Sequence, residues 1–126
     1  MNGGAPQASA DTAGATSGDT VGKWVAAAGG ADAKAREAAI AALAKAPRAQ
    51  ALPVLTRVLK SGDPRTDKPL ALRSLRTLAI DQGDADNHIR EALREAVYHG
   101  DDDALVQSAQ TTLDDVEAVA AGRRPR

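Results

Sequence analysis

Between Leu52 and Leu78, apolar residues recur at helical spacing in two runs separated by Ser61-Gly62-Asp63-Pro64. Leu52, Leu55, Val58 and Leu59 fall on one face of the first run. Lys68, Ala71, Leu75, Leu78 and Ala79 repeat the spacing in the second. Each run is too short to be stable alone, so the pattern predicts a helical hairpin that closes over its own apolar stripe.

The same period predicts two helices on each side of this hairpin. Asp19 or Thr20 caps a first helix over Val21, Trp24, Val25 and Ala28, and Gly29-Gly30 stops it. Asp32 opens a second, carrying Ala35, Ala39, Ala42, Leu43 and Ala46, which Pro47 ends. The third begins within Arg48 to Ala51 and runs to Lys60. Pro53 lacks an N–H and is expected in its first turn. The fourth opens at Asp67 to Pro69, runs through Ala79 or Ile80 and closes at Gly83. Asp86 or Asn87 caps a fifth over Ile89, Ala92, Leu93, Ala96 and Val97, which His99-Gly100 terminates. Asp101 or Asp102 caps a sixth, with Leu105, Ala109, Leu113, Val116 and Ala120 on one face and Gly122 at its end.

Composition agrees with an all-α fold. The 126 residues suffice for one domain, and the 43% hydrophobic content is mostly Ala, Leu and Val. There is no Phe, one Trp and one Tyr, so the core must come from close approach of small-residue helices. The absence of Cys excludes disulfides and thiolate metal sites. No apolar run approaches the ~20 residues of a membrane span, and no signal peptide is expected within the chain. Residues 1–18 are Gly, Ala, Ser and Thr with little else, and read as a flexible tail. The helical domain covers 19–121, and 122–126 is a basic tail. The compartment is left open between cytoplasm and periplasm, the latter if a signal or anchor was removed.

The net charge of −1 conceals an asymmetry. Lys45 to Arg76 holds eight basic residues against Asp63 and Asp67, a balance of +6. Gly100 to Ala121 holds six acids and no base.

The helices also repeat. Ala39, Ala71 and Ala109 hold equivalent places in the second, fourth and sixth, and Leu43, Leu75 and Leu113 follow each by four residues. In the odd helices Leu55 matches Leu93, Leu59 matches Val97, and Gly62 matches Gly100. On these residues the chain resembles the HEAT-repeat family. Arg36-Glu-Ala-Ala39-Ile-Ala-Ala42-Leu43 is similar to that family's second-helix pattern, and Leu52-Pro-Val-Leu55 with Leu59-Lys-Ser-Gly-Asp63-Pro to its first helix and turn. The resemblance covers roughly residues 32–121. It implies an α-α superhelix of three HEAT-like hairpins, the alternative being a compact helical bundle. It also implies a ladder of turn Asp and following Arg, here reduced to Asp63, Lys68 and Arg36. Asp67 stands where the family carries an aliphatic residue, and Val106 where it carries a base.

Candidate chemistry is sparse. Gly18-Asp-Thr-Val-Gly22-Lys23-Trp24 is one residue short of a phosphate-binding loop, and Trp24 replaces the metal-holding hydroxyl. Asp84, Asp86, His88 and Glu95 match calcium-loop positions, but Ile89 occupies the obligatory glycine place, so a helix-capping loop is expected. His88 and His99 sit at opposite ends of one helix, ~16 Å apart at about 1.5 Å per residue, and cannot share a metal. No catalytic, metal or cofactor residues are assigned.

The expectation is a monomeric, non-enzymatic interaction module. Its concave groove is lined by the second helices of each unit, with Arg73, Arg76, Gln107, Gln110 and Asp114 contacting a protein or peptide, an acidic one for preference. Gln110 stands out because its counterparts Ile40 and Leu72 are apolar. Nucleic acid is not expected, since neither a positive excess nor stacking aromatics are present. Two other readings are carried: a HEAT-like lyase or chaperone for a tetrapyrrole, using Tyr98 and His99, and head-to-tail self-association of the basic middle with the acidic end.

Overall fold

The computed structural model describes residues 18–60, 67–100 and 102–122. The turn at Ser61–Pro64, the Asp101 capping alternative, residues 1–17 of the expected tail and the terminal arginines lie outside the described residues. Six helices and no strand occur among those described. They are α1 (Gly18–Ala28), α2 (Ala33–Ala42), α3 (Arg48–Lys60), α4 (Lys68–Gln82), α5 (His88–His99) and α6 (Asp103–Ala120). A 3-10 turn, Leu43–Lys45, continues α2.

The helices pair in sequence as α1 with α2, α3 with α4, and α5 with α6. Across the pairs, α2 packs on α4 and α4 on α6, making an inner row, while α1, α3 and α5 form an outer one. Helices α2 and α4 run parallel. Arg36, early in α2, bonds Asp67 at the start of α4. Ser74 Oγ, mid-α4, donates to the Ile40 carbonyl. Gln82, the last residue of α4, reaches the Ala46 carbonyl just past the turn that ends α2. The chain is therefore an all-α stack of three hairpins, with the second, fourth and sixth helices side by side.

The repeated residues explain the stacking. Ala39, Ala71 and Ala109 are buried, as are Leu43, Leu75 and Leu113. Alanine lets neighbouring helix backbones approach, and the leucine one turn later fills the space between rows. Helix α4 is central and touches both inner neighbours. It accordingly buries Leu72 and Ser74 in addition to Ala71, Leu75, Leu78 and Ala79.

Two expectations about α3 shift. Its buried stripe is Ala51, Val54, Leu55 and Leu59, with Leu52 and Val58 only half-buried. Pro53 is the sixth residue of the helix, not in its first turn. The helix starts earlier because the Pro47 carbonyl accepts from the Gln50 and Ala51 amides at 3.0 and 3.1 Å. Pro53 is exposed, so the Ala49 carbonyl that it leaves without a helical donor can turn toward water.

Gly100 shows why a glycine ends α5. A β-carbon there would lie 2.6 Å from the Ala96 carbonyl oxygen and 2.6 Å from Val106 Cγ2. Position 100 is thus closed to any side chain. Gly100→Ala is expected to cost about 1–3 kcal/mol by overpacking, read as a lower urea midpoint. An unchanged midpoint would show that this turn is looser than described.

Candidate functional site

The groove between α4 and α6 has a volume of about 460 Å³. Pro69, Leu72, Arg73 and Arg76 from α4 line one wall, and Gln107, Ser108, Thr111, Thr112 and Asp115 from α6 the other. Three of the five expected contact residues therefore meet here: Arg73, Arg76 and Gln107. The Arg73 side chain is exposed. Arg76 is half-buried, and its Nε donates to Asp115 Oδ2 at 2.9 Å. That bond ties α4 to α6 and spends much of the Arg76 charge within the fold. Arg73 is left as the guanidinium best placed for an incoming group. Thr112 Oγ1 donates to the Ser108 carbonyl within α6.

Gln110 and Asp114 lie elsewhere. The Gln110 amide donates to Asp114 Oδ1 at 3.0 Å on an exposed face of α6. Its counterparts explain the placement. Ile40 sits against α4, and Leu72 lines the groove facing α6, so this register is the one that the next inner helix covers. No described helix follows α6. The polar pair therefore occupies the open end of the stack, which is why Gln110 departs from Ile40 and Leu72.

The strongest electrostatics are structural. Asp84, 5% exposed, accepts from the Ile89 and Arg90 amides at 2.8 and 3.0 Å, from Arg90 Nε at 2.9 Å and from Arg48 Nη2 at 2.8 Å. Its own carbonyl accepts from Arg90 Nη2 at 2.6 Å. Arg48 also grips Asp86 through both terminal nitrogens. This clasp joins the start of α3 to the start of α5. Of the two expected caps, Asp86 accepts from the His88 amide at 3.1 Å, whereas Asn87, with a φ of 71°, makes no side-chain cap; the Ile89 and Arg90 amides go to Asp84, which was not expected. Asp84 opens the turn, its carbonyl accepting from the Asn87 amide at 3.0 Å, and from there its carboxylate reaches forward to two consecutive amides of α5.

Burial pushes the Asp84 carboxyl up, but the Ile89 amide, then Arg90 and Arg48, outweigh it and hold it below its ordinary value. Arg48 first, then the His88 amide, hold Asp86 well below the usual carboxylate range. Both groups are depressed in the folded state. Their stabilisation is present above the unfolded value of about 3.9 and is lost as the pH falls through the lower folded values. Wild-type stability is therefore expected to exceed that of Asp84→Asn by a constant margin above about pH 5, and the margin to shrink below about pH 4. Urea titrations at stepped pH measure it, and a margin independent of pH would contradict the clasp.

Two further bonds join the hairpins, one from Gln82, for which no role was expected, and one from Arg36, whose partner is Asp67. Gln82 Nε2 donates to the Ala46 carbonyl at 2.7 Å while its Oε1 accepts from the Arg48 amide at 2.8 Å, closing the turn between α2 and α3. Arg36 Nε donates to Asp67 Oδ2 at 2.6 Å, and Asp67 is 1% exposed. The residue that breaks the aliphatic pattern thus carries one of the inter-hairpin ion pairs. Asp63, where the ladder was expected, lies outside the described residues.

The other candidates resolve as follows. Gly18 to Lys23 is helical, as the first half of α1, and Trp24 packs half-buried against the core. No metal-binding cluster of His, Cys, Asp or Glu is found among the described residues. His88 Nδ1 lies 3.2 Å from Asp86 Oδ2 at one end of α5. His99, at the other end, lines a cavity of about 120 Å³ with Lys60, Lys68 and Leu105, smaller than the ~300–1,000 Å³ of small-molecule sites. Tyr98 is 79% exposed and does not line it. No described helix is long and apolar enough to cross a membrane.

Comparison of the chain with protein-family models, with curated proteins and with solved structures finds no match in any of the three.

Proposed function

We propose that the protein is a non-enzymatic interaction module that receives an acidic protein or peptide segment in the α4–α6 groove. The observation that carries this reading is the composition of that groove. An exposed guanidinium, Arg73, lines it together with the apolar Leu72 and Pro69, and Gln107, Ser108 and Thr111 line it from α6. Arg73 offers five N–H donors in a planar fork that suits a carboxylate. Gln107 and the hydroxyls can bond the backbone of an extended chain, and Pro69 offers it an apolar contact. We further propose that the hairpins are HEAT-like repeats, a reading supported by Arg36, Ala39, Ala42 and Leu43 and by the inner-row stacking.

The test separates Arg73 from Arg76, since Arg76 also holds α4 to α6. Used as baits, wild type and Arg73→Glu should differ at least about tenfold in affinity for a captured acidic partner, about 1.4 kcal/mol. Gln107→Ala should weaken capture less. The melting temperatures of both variants should match wild type, because both side chains are exposed. Capture that Arg73→Glu leaves unchanged would remove the groove from the account.

A further inference from the structure

The two open ends of the hairpin stack are complementary in charge and in spacing. At one end, α2 has no inner helix before it among the described residues. The side turned away from Ile40 presents Lys34, Ala38 and Ala41, with Lys45 following in the 3-10 turn, and all four are exposed. At the other end, α6 presents Asp103, Gln110 and Asp114, also exposed. At 100° per residue these three fall within a narrow arc on the side away from Asp115 and α4. Glu117 shares that arc and lies 3.4 Å from Arg94.

The spacing matches as well as the sign. Lys34 and Lys45 are eleven residues apart, and so are Asp103 and Asp114. Eleven residues are about three turns, or ~16 Å of helix, so the members of each pair share one face. Within the chain, parallel inner helices already pair charges at matched levels, Arg36 with Asp67 and Arg76 with Asp115. Laying α2 of a second copy beside α6 in the same parallel sense brings Asp103 level with Lys34 and Asp114 level with Lys45. Ala38 and Ala41 lie between the lysines and leave room for Gln110 and the backbone of α6.

We propose that this protein associates head to tail, the α6 end of one copy stacking on the α2 end of the next through these two charge pairs. The contact is heterologous: each copy uses one end and leaves the other open, so addition can continue into short rows. It lacks large apolar side chains, so it is weak and governed by salt. Charges in the contact act across about 30 Å at 0.01 M salt and about 3 Å at 1 M.

Sedimentation velocity over a concentration series tests it. In about 0.01 M salt, wild type should show a sedimentation coefficient that rises with concentration, and in about 1 M salt a constant monomer value. Lys34→Glu with Lys45→Glu should abolish the rise, as should Asp103→Lys with Asp114→Lys. Mixing the two double variants should restore it, since the acidified α2 end of one now meets the basic α6 end of the other. Asp103 lies in the first turn of α6, so Asp114→Lys alone, at an exposed mid-helix position, serves as a second variant and should halve the effect or more. Arg73→Glu should leave the rise intact. Wild type that stays monomeric at low salt at every concentration would overturn the proposal. So would association that survives the end-reversing variants, or that Arg73→Glu removes.

Discussion

Asp84→Ala is expected to lower stability by about 3–5 kcal/mol, the range for removing one partner of a buried ion pair. The reasons add up at a single carboxylate. Its side chain is 1% exposed and accepts four hydrogen bonds, two from amides that open α5 and two from arginines on α3 and α5. Truncation leaves those amides without their acceptor and holds Arg48 and Arg90 beside an empty space. The melting temperature should fall by roughly 10–20 °C. Asp86→Ala should move it far less, because Asp86 is 43% exposed and water can replace it. Calorimetry of the two variants side by side checks the claim. Equal shifts would mean that the clasp does not depend on the buried carboxylate.

Arg36→Ala is the second large effect, expected at about 3 kcal/mol. Asp67 is buried at the N-terminus of α4; among the described residues Arg36 supplies its one side-chain donor, to Oδ2, and Oδ1 has no partner. Removing the guanidinium strands a carboxylate in the interior. It also frees the Gly30 and Ala31 carbonyls that Arg36 Nη1 holds at 3.2 and 3.3 Å. The informative comparison is the double replacement Arg36→Met with Asp67→Leu. Apolar residues of similar size carry no desolvation cost, so this variant should return to within about 1 kcal/mol of wild type or exceed it. Urea unfolding of the two single variants and the double gives the coupling between the positions. A double variant as unstable as Arg36→Ala would mean that the loss comes from the carbonyl contacts and not from Asp67.

The fold was legible because its signal is local and periodic. Alanine and leucine at matched places mark the inner row, and glycines and prolines punctuate it, so the six helices fall close to where the spacing puts them. The errors came where tertiary context chose among local options. On α3, Leu52 and Val58 satisfy the helical period as well as Ala51 and Val54 do. Which set is buried depends on how the outer helix rolls against α4, and the period does not encode that roll. At the start of α5, Asp84, Asp86 and Asn87 are all plausible caps. Asp84 takes the Ile89 and Arg90 amides and Asp86 that of His88, while Arg48, from 36 residues away, holds Asp84 and also bonds Asp86. Gln82 is similar: a glutamine at a helix end is unremarkable until the turn at Ala46–Arg48 lies beside it.

The candidate site was half legible for the same reason. Arg73, Arg76 and Gln107 follow from taking the second helix of each hairpin as the inner one. Gln110 looked like a groove residue because it is polar where its counterparts are apolar. That difference instead reports the end of the described stack: the register that buries Ile40 and Leu72 meets no described helix on α6. Ser108 and Thr111 carried no signal, since small hydroxyl residues on a helix are common and only the width of the groove gives them a role.

The arrangement from which groove, ladder and open ends all follow is measurable directly. The chain has no cysteine, so Glu37→Cys and Gln107→Cys give two unique labelling sites on exposed, equivalent positions of α2 and α6. Adjacent packed helices lie about 8–10 Å apart, so two steps across α4 place the label-bearing helices ~20 Å apart. Electron–electron double resonance between spin labels at these sites should return one narrow distribution near that value. A broad distribution, or one centred at much longer distance, would mean that the inner row does not form.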